Sequence, residues 1–81
     1  MNTSIKSDTA FFATNVWFAN NKLCVLLTDG REIGVPIDWL PRLRDASDEQ
    51  RSSWRFIGNG QGIHWELLDE DISVNGLLRG Q

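Results

Sequence analysis

The chain has one histidine, His64, and it falls in the stretch Gly62-Ile63-His64-Trp65-Glu66-Leu67-Leu68-Asp69-Glu70-Asp71-Ile72-Ser73, which also holds four carboxylates. Imidazole is the side chain whose ordinary pKa lies nearest neutrality, and carboxylates orient it for proton transfer or share a metal with it. Glu66, two residues on along a strand, faces the same way as His64 and could pair with it. Catalysis would also need an activated nucleophile. The candidates are Ser53, Ser73 and Cys24, and none sits in an activating motif. Asp69, Asp71 and Ser73 occupy positions one, three and five of a calcium loop. The pattern then fails, because the sixth position is Val74 rather than Gly and the twelfth is Gly80 rather than Glu. A single His without spaced cysteines is a poor donor set for a transition metal. No catalytic residue, metal or cofactor is therefore expected.

Two further charged groups invite a reading. Asp69, Glu70 and Asp71 come just before a helix expected from Ser73, where each carboxylate would gain about 0.3–1 kcal/mol from the helix dipole. The alternative is an acidic docking surface whose repulsion is relieved by an Arg-rich partner or by Arg42. Arg42, Arg44, Arg51 and Arg55 cluster mid-chain, but Asp45, Asp48 and Glu49 interleave with them. With eight basic and eleven acidic residues the net charge is −3, which argues against a phosphate-driven nucleic-acid binder. Gly58-Asn59-Gly60-Gln61-Gly62 is G-x-G-x-G without a βαβ unit, so it reads as a turn and not a phosphate loop.

The elements that must position these residues come from the apolar pattern. Val16–Ala19, Lys22–Thr28 and Arg31–Ile37 read as three antiparallel strands. Asn20-Asn21 supplies one turn, and Asp29-Gly30 supplies a hairpin turn of type I′. Leu23, Val25 and Leu27 share a face, with Cys24, Leu26 and Thr28 on the other, so this strand should be central and Cys24 buried. Asp38–Ala46 predicts a short helix capped by Asp38. Ser47 with Gln50 forms a capping box for a second helix over about Asp48–Ser53. Trp54–Gly58 and Gly62–Glu66 predict a second hairpin. Ser73 caps a last helix over Val74–Arg79, with Ile72 and Leu77 as a hydrophobic staple and Gly80 as its C-terminal cap. The order β-β-β-α-α-β-β-α is an α+β fold, a small single domain with an antiparallel meander, a second hairpin and two or three short helices.

With 81 residues there is room for one domain, spanning residues 11–81 behind a polar lead-in over residues 1–10. A core this small leans on large side chains, here four Trp and four Phe. The single cysteine allows no internal disulfide and suits a reducing cytosol. No apolar run reaches the eighteen residues of a membrane span, and the N-terminus lacks a signal-peptide pattern, so a cytoplasmic location is expected. The Val16–Ala19 strand, if left at an edge, could pair across a homodimer.

The D-G-R hairpin, the segment Val35-Pro36-Ile37-Asp38-Trp39-Leu40-Pro41-Arg42-Leu43, the helix beginning Ala46-Ser47-Asp48-Glu49-Gln50-Arg51, and the end Gly62-Ile63-His64-Trp65 through Leu68-Asp69-Glu70-Asp71-Ile72-Ser73-Val74 together resemble the bacterial domain of unknown function numbered 2442, over roughly residues 16–80. The resemblance implies a small cytoplasmic α+β domain and supplies no activity. Its signature falls on Arg31, Pro36, Trp39, Pro41, Arg42, Leu43, His64, Trp65, Asp69, Glu70 and Asp71. Some relatives carry a C-terminal helix–turn–helix. Others stand alone beside another small protein in a toxin–antitoxin-like arrangement. This sequence ends at Gln81, just past the motif, so no DNA-reading appendage is expected and weight shifts to a small protein partner. The leading expectation is a non-enzymatic interaction or regulatory module. Trp39 and Trp65 would be its anchors, with Arg42, His64, Asp69, Glu70 and Asp71 around them. The rivals are a ligand-binding or enzymatic site on His64, Glu66 and Asp69–Asp71, and a nucleic-acid regulator acting through the arginines.

Overall fold

The computed structural model describes residues 11–79. Strands β1 (Ala13–Ala19), β2 (Lys22–Leu27) and β3 (Glu32–Pro36) form an antiparallel sheet in that order, with β2 in the centre. Alternation along β2 decides its faces: Leu23, Val25 and Leu27 are all but completely buried. Leu23 lies opposite Phe18 and Val35, and Val25 opposite Val16 and Ile33. Cys24, between Trp17 and Gly34, is buried and unpaired by any disulfide.

The two turns exchange roles relative to the sequence expectation. Asn20 and Asn21 both take positive φ (54° and 61°), the requirement of a type I′ turn. At Asp29-Gly30, Gly30 alone is left-handed, with φ of 93°. Gly30 donates to the Leu27 carbonyl at 3.0 Å and Leu27 donates to the Arg31 carbonyl at 2.8 Å. This is a three-residue loop ending in a left-handed glycine, not a type I′ turn. Asp29 keeps a negative φ, and its carboxylate is used locally, accepting from the Arg31 backbone N–H at 3.0 Å and from Arg31 Nε at 2.8 Å.

The expected helix Asp38–Ala46 is broken in two. Ile37–Trp39 is a 3₁₀ turn and α1 covers Pro41–Arg44. Leu40 between them has φ −127° and ψ 75°, because the Pro41 ring disfavours the helical region for the residue before it. Leu40 therefore stands at the N-cap in place of Asp38. Ser47 and Gln50 make the reciprocal capping box, and α2 runs Asp48–Arg51. It stops short of Ser53 because the Ser52 and Ser53 hydroxyls bond back to the carbonyls of Asp48, Glu49 and Gln50.

The larger correction is in the second half. Strands β4 (Trp54–Ile57), β5 (Gly62–Trp65) and β6 (Glu70–Ser73) make a second three-stranded antiparallel sheet where a hairpin was expected. A run of Glu, Asp, Ile and Ser carries little intrinsic strand preference. It pairs because the chain reverses after Trp65, with Asp69 at φ 52°, a conformation Asp tolerates. Glu70 and Asp71 are thus strand residues, not a charged approach to a helix. Helix α3 (Val74–Leu78) follows, with the Ser73 hydroxyl accepting from the Gly76 N–H at 3.2 Å. The Gly80 cap and the lead-in over residues 1–10 lie outside the described residues.

Both sheets feed one apolar cluster. Leu23, Val25, Leu27 and Val35 enter from the first, Ile63 and Trp65 from the second, Leu43 from α1, and Val74 and Leu77 from α3. The halves come close together at Gly60, φ 98°. A Cβ there would stand 2.5 Å from the Ala13 carbonyl oxygen. A glycine is needed at this position on both counts.

Candidate functional site

Pairing in the second sheet sorts its side chains into two faces. Trp54 opposite Trp65, and Ile63 between Phe56 and Ile72, lie on the core face. Arg55, His64 and Asp71 lie opposite one another on the outer face. Because cross-strand neighbours of one face are the closest side chains in a sheet, this row can interact directly. His64 Nδ1 meets Asp71 Oδ1 at 2.5 Å, and His64 Nε2 meets Glu66 Oε1 at 3.3 Å. Arg55 Nε reaches the same Glu66 oxygen at 3.4 Å. The imidazole is mostly shielded, with 16% of its side chain exposed, while both carboxylates are about two-thirds exposed, at 66% and 67%. The sequence-based pairing of His64 with Glu66 is present, and Asp71 is its second partner.

A second set of contacts leads away from this row. Arg42, on α1, forms an ion pair with Glu70 at 3.1 Å and donates to the Leu68 carbonyl. It thereby ties the segment that carries Trp39 to the reversal that carries Leu67. Trp39 and Leu67 are each 55% exposed, and with Phe11 they are the large exposed hydrophobics among the described residues. Arg42, which the sequence offers as an alternative to an Arg-rich partner for relieving the carboxylates, pairs with Glu70. Trp65 behaves differently from the expectation. It is fully buried, and its indole N–H donates to the Arg51 carbonyl at 2.9 Å. A side chain with no exposed area holds the fold and offers nothing to a partner. The sequence signal missed was Leu67, an apolar residue at the tip of a chain reversal that was not foreseen.

The rest of the surface can be sorted by its contacts. Arg44 pairs with Asp45 at 3.0 Å, and that hydrogen bond holds the Asp45 carboxyl below its ordinary pKa. Arg51 donates to the carbonyls of Leu43 and Arg44, both at 2.8 Å. With Arg42 on Glu70 and Arg55 on Glu66, each of the four arginines has an internal partner. They form a mixed-sign surface, not a basic face. A hollow of about 300 Å³ lies against the outer side of the second sheet, lined by Ile57, Gly58, Gln61, Gly62 and residues 71–73. It reaches Asp71 but not His64, Glu66, Asp69 or Glu70. Among the described residues no three His, Cys, Asp or Glu side chains gather in a way that could hold a metal ion, and no helix is long and apolar enough to cross a membrane.

Comparison with known proteins adds to this picture. Residues 13–81 match DUF2442, a family described as protein of unknown function. The fold is similar to the crystal structure of a protein of unknown function from Rhodospirillum rubrum ATCC 11170, with TM-score 0.77, 31% identity and coverage of 89% of each chain. No curated protein matches.

Proposed function

The chain belongs to the DUF2442 family of proteins of unknown function, and we propose that within it this protein is a non-enzymatic interaction module that binds a small protein partner. The binding surface joins residues 38–44 to residues 66–71. The observation that carries this reading is the Arg42 bridge: one guanidinium holds together the two segments that display Trp39 and Leu67. Single exposed hydrophobics are ordinary on a protein surface. Here two of them flank an ordered arginine, and Trp and Arg are the residues that most often carry binding energy in interfaces. Glu70, on the other side of the same bridge, and Asp69 supply the polar rim. A partner encoded beside this protein, with this chain as the antitoxin-like half of the pair, is the finer form of the reading and rests on the family resemblance.

The test is co-expression with the small protein encoded by the adjoining gene, followed by purification of the pair. The expected result is a stable complex that Trp39→Ala or Leu67→Ala weakens about tenfold or more, the loss of roughly 1.4 kcal/mol typical of an anchor residue. Both side chains are more than half exposed, so thermal stability should hardly change. A lack of complex, or full binding by both variants, would overturn the reading.

A further inference from the structure

The chain reversal that presents Leu67 and meets Arg42 runs from Glu66 to Asp69, and one side chain on the strand before it faces Glu66 at its start and Asp71 on the strand just past its end. His64 Nε2 faces the Glu66 carboxylate at 3.3 Å, and His64 Nδ1 faces the Asp71 carboxylate at 2.5 Å. A protonated imidazole carries an N–H on each nitrogen, whereas a neutral one carries a single N–H and a lone pair. Carboxylates stand opposite both nitrogens, so the imidazolium donates to both. The neutral ring donates to one and turns its lone pair on the other carboxylate.

We propose that His64 is a proton-operated clamp on the docking surface, tying Glu66 at the start of the reversal to Asp71 on the strand that follows when protonated, and releasing one of the two when neutral. The role of that reversal in docking rests on the reading above; the clamp itself does not. The charged groups that face the ring come from every element beside it: Arg55 from β4, Asp71 from β6 and Glu66 from the reversal. They also decide which of the two is released. Glu66 has Arg55 as a second cation at 3.4 Å. Asp71 has His64 as its ion-pair partner and no second cation among the described residues. The single proton of the neutral ring therefore stays on Nδ1, towards Asp71. Glu66 loosens, held by Arg55 alone. Leu67, the adjacent residue, then loses its fixed position, and partner binding weakens as the ring loses its proton.

The clamp is tested on the free protein by amide hydrogen exchange, corrected for intrinsic rates, alongside an NMR titration of the His64 ring. The expected result is a fall of about fivefold in protection for residues 66–68, with the same midpoint as the ring, the factor that corresponds to one net hydrogen bond of about 1 kcal/mol. His64→Gln should abolish the step. Glu66→Gln, an exposed change that leaves the sheet intact, should abolish it as well while the ring still titrates. Flat protection across the ring's titration, or a step that survives in Glu66→Gln, would overturn the proposal. The same pH series on the co-expressed complex separates the two readings. If no complex forms, docking fails while the exchange data still judge the clamp. If a complex forms with pH-independent affinity although protection changes, the clamp stands and its control of docking falls.

Discussion

Both sheets run three antiparallel strands in chain order, yet their charged groups are organised differently. On the first sheet the charged contact is local: Arg31 folds back onto Asp29 within the same turn. On the second, charges meet between strands and between segments, in Arg55–Glu66, His64–Asp71 and Arg42–Glu70. The first sheet stabilises its turns with polar groups and leaves the rest to the core. The second spends its polar groups on fixing the position of a surface reversal. The same backbone plan thus yields a half whose charges stay within one turn and a half whose charges bridge strands and segments, and the difference lies in six side chains.

That contrast holds only if the second sheet is core on its inner face as fully as the first. Trp65 and Leu23 are both fully buried. Trp65→Ala should cost about 3–5 kcal/mol and Leu23→Ala about 2–5 kcal/mol in urea unfolding monitored by circular dichroism. A loss near zero for Trp65→Ala would mean that the second sheet opens without the first, and the two halves would no longer share one core. The next largest effect is at the joint between them. Gly60→Ala should cost at least about 2 kcal/mol, since it combines a left-handed conformation with an overpacked contact on Ala13. If it were tolerated, the approach of the sheets at Gly60 would be looser than the distance to the Ala13 carbonyl requires.

The first sheet was far more legible in the sequence than the second, and the reason is physical. Leu23, Val25 and Leu27 alternate cleanly, and Asn20-Asn21 and Asp29-Gly30 mark their turns in composition, even though the turn types were exchanged. Strand β6 has a weak pattern of its own. Glu70 and Asp71 belong to it because His64, Trp65 and Ile63 stand opposite, which is tertiary information. The break in Asp38–Ala46 was legible in principle, since Pro41 restricts Leu40, but the apolar spacing of Leu40 and Leu43 outweighed it. Of the site, His64 with Glu66 and Arg42 with the carboxylates could be read from charge and spacing. Trp65 could not be separated from Trp39, because burial is decided by tertiary packing: Trp65 falls on the core face of the second sheet, while Trp39 ends a 3₁₀ turn at the surface.

The connection between the sheets offers an intermediate test. Ser47→Ala removes the hydroxyl that accepts from Gln50 and breaks the reciprocal capping box. The expected cost is about 1 kcal/mol. Arg51 carries the effect towards the second sheet, since its carbonyl receives the Trp65 indole. A cost well above that of an isolated cap would show that α2 is a strut for Trp65. A cost near the peptide value would leave it a connector.

The smallest expected effect is the sharpest on the polar contrast. The Asp29 carboxyl is held below its ordinary pKa, chiefly by the Arg31 backbone N–H and then by the Arg31 side chain. A carboxyl depressed in the folded state adds stability above its unfolded pKa, near 3.9, and loses it as pH falls through the folded value. The group is at the surface, so the effect is small and confined to acid. Asp29→Asn should flatten the acid limb of a plot of Tm against pH and leave the region of about pH 5–8 unchanged. The Asp29–Arg31 pair then titrates outside the range in which an imidazole changes charge, whereas the His64 row holds the chain's one histidine. If Asp29→Asn instead altered stability across the neutral range, the local turn would be coupled to the second sheet's network, and the division between a half with local charges and a half with bridging charges would have to be redrawn.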